Sequence, residues 1–537
     1  MSDAPVDRAE LLRLGLVAHR EGRLQEARRC YQRLLDLDPM HLETLRLAAS
    51  ATMQSGDPAA ALALLDRAMR IDARHVGVLN ERGVALWRLG RLEEALVSHA
   101  EAVRLKPDQV EALNNRGVML LELGRPQEAL ASFEAAIRIR HDHPSSLSNL
   151  GNALFALGRL EEALASYSEA IRVKPGHAKA LHNRGVALRD LRRFDEALAD
   201  FEAVVRLKPG DADAIAKRGR LRMFLRRFPE AFADHRHRWA DPDHASPRQP
   251  TTLPLCEPGT LRGRLLLWAE QGLGDELFFA GLLPALLKRE VSVTLTADKR
   301  LHALLARSLP QVRLLDRAVT IRSSIDDGHD AQAPIGDLGY LLGMDEAAIA
   351  ASRAVYLKAD ERRCAEMRAK LAALGGGRRV CGIAWRSANR KFSEAKSIDL
   401  AKLRPLLETR DTVFVNLQYG AVDAELEALH AKTGLRIHRI EGLDIREDID
   451  GLTALIDACD TVVTSSNVTA HLAGAIGKRT AVLVPNSKGR LWYWHEGEER
   501  SLWYPSLRLF CQDDPVDWSR PIEACARWFR DPASTLG

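Results

Sequence analysis

Along residues 8 to 241 the chain repeats one hydrophobic–polar phrase every 34 residues. Within each period, apolar positions return every three or four residues over two stretches, which predicts seven pairs of amphipathic helices joined by short turns. Glycine marks one slot at Gly22, Gly56, Gly90, Gly124 and Gly158, with Arg192 and Arg226 in the next two. A second glycine ladder, offset by seven, reads Gly83, Gly117, Gly151, Gly185 and Gly219. Ala27, Ala61, Ala95, Ala129, Ala163, Ala197 and Ala231 form a third, and a bulky position four residues on reads Tyr31, Leu65, His99, Phe133, Tyr167 and Phe201. Small residues let the two helices of a pair, A and B, approach closely. The offset glycine is expected to end helix A in a left-handed cap. Pro39, Pro107, Pro175 and Pro209 stop one hairpin and open the next.

After residue 241 the texture changes. A proline-rich linker, 242–263, precedes short apolar runs that alternate with helical stretches, the pattern of parallel βαβ units. Strands are expected at Leu265–Trp268, Val291–Thr296 and Val312–Asp316, then near Val380–Trp385, Thr412–Gln418, Ile437–Ile440, Thr461–Ser465, Thr480–Val484 and Leu507–Cys511. The fold class is therefore an α-solenoid followed by an α/β part. The α/β part reads as two Rossmann-like lobes, 264–360 and 361–537, facing each other across a cleft.

Composition narrows the function classes. A net charge of +4 over 537 residues, with no Lys/Arg stripe interleaved with aromatics, gives no expectation of nucleic-acid binding. Seven scattered cysteines without a CxxC pair suggest neither a zinc knuckle nor a disulfide framework. No basic, apolar leader opens the sequence and no long apolar run follows, so no membrane span and a cytoplasmic location are expected. Asp513-Asp514 reads as a helix cap rather than a metal motif, and no Walker, HExxH or GxSxG string occurs. No metal or other cofactor is expected.

The candidate chemistry lies where loops follow buried strands. In Glu270-Gln-Gly-Leu-Gly-Asp275, Gly272 and Gly274 allow close approach of a ligand to backbone, and the next helix N-terminus favours negative charge. Asp275 stands at its mouth, either as a reactive carboxylate or as a helix cap. Ser465, Ser466, Asn467 and Thr469 converge at a second strand-to-helix turn, where a diphosphate can rest, with His471 on the helix as a ligand contact or a packed residue. The loop 386–397 carries Arg386, Ser387, Arg390, Lys391 and Lys396, suited to neutralising phosphate. Gln418 and Tyr419 end a neighbouring strand and are placed to line a nucleotide pocket. Trp492, Trp494, Trp503 and Tyr504 form an aromatic group for stacking or for packing. In the repeats, Asn115, Asn149 and Asn183 recur on helix A, interrupted at Glu81 and Lys217; either they face a groove able to hold an extended peptide, or asparagine is simply common at this position of the repeat.

The 34-residue phrase is identified as the tetratricopeptide repeat. The asparagine series resembles that of O-linked N-acetylglucosamine transferase, another repeat-plus-transferase architecture. The Glu270–Glu276 loop, Gly382-Ile-Ala-Trp-Arg-Ser387, the run Ser465–Lys478 with the strand at 481–485, and Leu502–Phe510 together resemble glycosyltransferase family 9, the heptosyltransferase-like proteins. That resemblance implies a GT-B fold, a nucleotide-diphosphate sugar as donor, and Asp275 as general base. Where many relatives carry Asp-Thr, this chain has Ser466-Asn467. The alternative is a non-catalytic adaptor, its repeats binding a protein partner beside a degenerate transferase domain.

Overall fold

The computed structural model describes residues 7–240, 244, 246–321, 325–352, 354–387, 396–486, 490–495 and 497–531. It divides into two compact units, Met1–Gly210 and Asp211–Gly537.

The described residues of the first unit form successive helices of 13 or 14 residues, from Arg8–Arg20 to Phe194–Leu207, paired into hairpins. The two glycine ladders exchange the roles expected of them. Gly22, Gly56, Gly90, Gly124 and Gly158 are the left-handed residues between helices A and B, at φ of 73°, 87°, 75°, 70° and 74°. Arg192 adopts the same turn at φ 63°. Gly83, Gly117, Gly151 and Gly185 instead lie inside helix A, beneath the bulky residue of helix B. A Cβ on Gly117 would sit 2.5 Å from the Phe133 ring, and one on Gly151 2.5 Å from Tyr167. Ring-to-backbone packing, not backbone conformation, requires glycine there.

The second unit begins with the helices Ala212–Phe224 and Phe228–His235. Its first sheet holds β1 (Gly263–Trp268), β2 (Val291–Ala297), β3 (Arg313–Asp316) and β4 (Ala331–Pro334), all parallel in the order β3-β2-β1-β4. Its second holds β5 (Arg379–Ala384), β6 (Thr412–Asn416), β7 (Ile437–His438), β8 (Thr461–Ser465), β9 (Thr480–Val484) and β10 (Leu507–Cys511), parallel in the order β10-β9-β8-β5-β6-β7. β4 was not anticipated: Ala-Gln-Ala-Pro carries no β-branched residue, and it is held by pairing with β1 and by Trp268 Nε1 donating to Gln332 Oε1 at 2.7 Å. The segment expected as a linker is laid along β4. Cys256 N donates to the Gln332 carbonyl and Gln332 N to the Pro254 carbonyl. One apolar core runs from Phe228 and Phe232 through Leu267 and Phe278 to Val462 and Trp494. No helix among the described residues is long and apolar enough to cross a membrane.

Each sheet has a topological switch point. From β1 the chain passes to β2 on one side while β4 lies on the other; β5 passes to β6 while β8 leads to β9. Crevices open at the C-terminal ends of such strand pairs.

Candidate functional site

At the first switch point, β1 ends in Trp268 and the chain turns through Glu270 and Gln271 into the helix Leu273–Ala280. Gln271 holds a left-handed φ of 60°, uncommon for a residue with a side chain. Its N–H donates to Ser246 Oγ at 2.8 Å, and its carbonyl accepts from Arg317 Nη1 at 2.9 Å. Gly272 precedes the helix, and its N–H reaches Asp275 Oδ2 at 3.4 Å. A Cβ on Gly274 would lie 3.2 Å from His471 Cδ2, so glycine permits the close approach of this helix to the helix Val468–Ala475. Asp275 is half-buried.

At the second switch point, β8 ends at Ser465 and the helix Val468–Ala475 begins. Asn467 caps it: Oδ1 accepts from Thr469 N and from Thr464 Oγ1, both at 2.9 Å. Its Nδ2 donates to the Arg386 carbonyl at 3.1 Å, tying the ends of β8 and β5 together. Ser466 Oγ accepts from Trp494 Nε1 at 2.8 Å. Ser465 and Thr469 are fully buried, and Thr469 Oγ1 has no hydrogen-bond partner among the described residues. His471 Nδ1 meets the Tyr504 hydroxyl at 3.1 Å, and its ring stacks on Trp494.

The two ends meet electrostatically. Burial pushes the Asp275 carboxyl up to about 6; the Gly272 amide, Lys396 and His244 oppose the rise, and Glu270 adds to it. Burial pulls the Lys396 ammonium down to about 8, against the attraction of Asp275. Burial, then the positive charge of Lys396, drives His471 down to about 3, so it is neutral. A carboxyl raised to about 6 and acted on by the charge of a buried ammonium is suited to proton transfer near an anion.

Other candidates are placed differently. The Arg386 guanidinium pairs with Glu425 at 3.1 Å and lies over Trp385, so it is engaged away from an anion in this state. Gln418 is structural: Oε1 accepts from the N–H groups of Trp385 and Arg386, and Nε2 donates to the Tyr419 carbonyl. Ser387 and Tyr419 are half-buried at the adjoining strand ends. Arg390 and Lys391 lie outside the described residues. Trp494 and Tyr504 are buried, and with Phe278, Tyr493 and Trp503 they pack as an aromatic cluster around His471.

Sequence reasoning passed over Arg238 and Glu270. Glu270 is 1% exposed and accepts from Arg238 Nε at 2.7 Å and Nη2 at 2.6 Å. A carboxylate placed directly after the apolar run Leu265–Ala269 was the available signal, since such a charge demands a partner. Glu276 was also missed. It accepts from Asp298 N and Arg317 Nη1, and burial raises it to about 7.

In the first unit, the asparagines pair between successive A helices. Asn115 Nδ2 donates to Asn80 Oδ1 at 3.0 Å, Asn149 Nδ2 to Asn114 Oδ1 at 3.0 Å, and Asn183 Nδ2 to Asn152 Oδ1 at 2.7 Å. Asn115 and Asn149 line a concavity of about 270 Å³ with Trp87, Met119, Asn152 and Lys179. Asn183 is not among its lining residues.

Tetratricopeptide repeat models match residues 9–41, 46–103, 108–176 and 148–212. This N-terminal region carries tetratricopeptide repeats, which imply a protein-interaction role. The chain is 33% identical over 291 residues to Protein FlbA of Caulobacter vibrioides, covering 51% of this chain and 48% of that protein. It thus spans about half the length of the curated relative it matches. Among solved structures it is similar to PilF of Pseudomonas aeruginosa, at 24% identity and TM-score 0.34, over 38% of this chain and 93% of that one. A tetratricopeptide repeat protein of Parabacteroides merdae matches at 18% identity and TM-score 0.38, over 43% and 92%.

Proposed function

We propose that the α/β part is a GT-B-type glycosyltransferase, inverting and using a nucleotide-diphosphate sugar, and that the repeats bind its protein acceptor or a protein that positions it. The observation that supports this reading best is the close packing of the helix Leu273–Ala280, which carries Asp275, on the helix Val468–Ala475, where a Cβ on Gly274 would lie 3.2 Å from His471 Cδ2. In the proposed step Asp275 takes the proton of an acceptor hydroxyl as its oxygen bonds to the anomeric carbon. The bond from that carbon to the diphosphate oxygen breaks, and the nucleoside diphosphate leaves with the electron pair toward Lys396. Gly272 would let the acceptor approach the backbone, while the space beside Gly274 is taken by His471. Ser466, Asn467 and the N–H groups at the start of the Val468–Ala475 helix would face the donor diphosphate, with Arg386 exchanging Glu425 for a phosphate oxygen.

A second reading, the non-catalytic adaptor, is favoured by the internal bonding of the donor-side groups: Ser466 to Trp494, Asn467 to Thr464 and Thr469, Arg386 to Glu425. Calorimetry of the full chain against a panel of nucleotide sugars, followed by slow hydrolysis, separates the two. Binding with turnover supports the transferase. No binding to any donor supports the adaptor.

A further inference from the structure

We propose that Arg238, in the turn after the helix Phe228–His235, is a positioning residue that holds the 270–275 loop in the geometry that presents Asp275 to the cleft. This rests on the transferase reading. Arg238 is 4% exposed. Its guanidinium donates four hydrogen bonds: a two-point pair to Glu270, Nη1 to Asp337 Oδ1 at 2.7 Å, and Nη1 to the His235 carbonyl at 2.9 Å.

The carboxylates it joins sit at the ends of the two strands that form the first switch point, Glu270 after β1 and Asp337 after β4. Glu270 Oε1 also accepts from Gly336 N at 2.9 Å. A Cβ on Gly336 would lie 2.5 Å from that oxygen, so the clamp leaves no room for a side chain. The residue following Glu270 is the strained Gln271. Strain of this kind persists only where its surroundings fix it. Here Arg238 anchors one end through Glu270, while Ser246, Arg317 and His244, which contacts Gln271 Nε2 at 2.9 Å, hold the turn itself. Four residues on stands Asp275. The last helical hairpin and the segment after it are thereby part of the reactive loop's support, not only an attachment for it.

The clamp also sets charge near Asp275. The groups that act on Asp275 electrostatically are Glu270, His244 and Lys396, and Tyr493 and Tyr504 feel its charge. Glu270 raises the Asp275 carboxyl, and Arg238 faces Glu270 with the opposite sign.

The test uses the full chain carrying Arg238→Met, Glu270→Gln and Gly336→Ala, each checked for a cooperative melt. With the donor turned over by the unaltered protein, kcat should fall about a hundredfold in Arg238→Met while donor KM moves less than about threefold. The acid limb of the pH profile should move down in Glu270→Gln, which removes a negative charge that raises Asp275. Unchanged kcat in Arg238→Met, or an acid limb that stays in place in Glu270→Gln, would overturn the proposal. Hydrogen exchange of segment 270–276 supplies a readout independent of activity. Protection there should drop in Arg238→Met and Gly336→Ala, with the helices of Met1–Gly210 unaffected. Retained protection defeats the positioning role. An unaltered protein inactive on every donor defeats the transferase reading alone, and exchange still decides whether Arg238 holds the loop.

Discussion

The two units differ in the charge pairs that characterise them. In the repeats, the same exposed pair recurs where helix B begins: Arg91–Glu94, Arg125–Glu128, Arg159–Glu162 and Arg193–Glu196. The second unit has exposed pairs too, but around its first switch point charges go inside, as Arg238–Glu270–Asp337 and Arg317–Glu276. An exposed pair three residues apart follows from helix geometry and is worth little. A buried pair must offset heavy desolvation and exists only when distant segments meet. The contrast separates surface charge that decorates a fold from internal charge that fixes a loop.

The largest expected effect is chemical. Asp275→Asn keeps shape and removes the proposed base, so turnover should fall about 100- to 10,000-fold with donor binding retained. An unchanged rate would return Asp275 to a capping role.

Next comes the clamp. Arg238→Met should lower unfolding stability by about 3–5 kcal/mol, because Glu270 is left buried without its arginine, while Asp337 keeps Arg236 at 3.4 Å. Arg91→Ala should leave the melting temperature where it was. Equal responses from the two variants would erase the contrast between the units.

His99 tests the repeats from within. It occupies the position of Phe133 and Phe201, is 1% exposed, and burial lowers its imidazole to about 4. Its folded pKa lies below the unfolded 6.5, so the stability it permits is present above pH 6.5 and is lost as pH falls toward 4. That loss is about 3 kcal/mol at full extent. Denaturant melts at pH 7 and pH 4 should show His99→Phe reducing the acid sensitivity of the first unit. Undiminished sensitivity would mean that other groups set it.

The two glycine ladders give the smallest effects. Gly117→Ala should cost about 1–3 kcal/mol, because a methyl would strike the Phe133 ring. Gly124→Ala meets nothing within 4 Å and should cost about 1 kcal/mol, from its φ of 70° alone. Equal melting temperatures for the two would blur this division of roles.

Legibility followed the same divide. The helical hairpins were readable because each rests on a pattern that recurs every 34 residues. The strands with β-branched runs, such as Thr461–Ser465 and Thr480–Val484, appear with the expected bounds. Ala331–Pro334 escaped because only its neighbour makes it a strand. The second glycine ladder was assigned the wrong cause, since a glycine needed for a ring and one needed for a turn look alike in sequence. Asp275, Lys396 and His471 could be nominated from their loops, but their mutual influence depends on two sheets meeting. Arg238 was invisible for the same reason: its partners are 32 and 99 residues away.

The pH dependence of turnover tests most directly whether the two switch points share one cleft. Activity should rise through about pH 6 as Asp275 loses its proton and decline above about pH 8 as Lys396 loses its charge. Lys396→Met should abolish the alkaline decline and move the acid limb upward, since the cation that lowers Asp275 is gone. An acid limb that stays in place in Lys396→Met would show that the two residues do not act on each other, and the shared cleft would be lost.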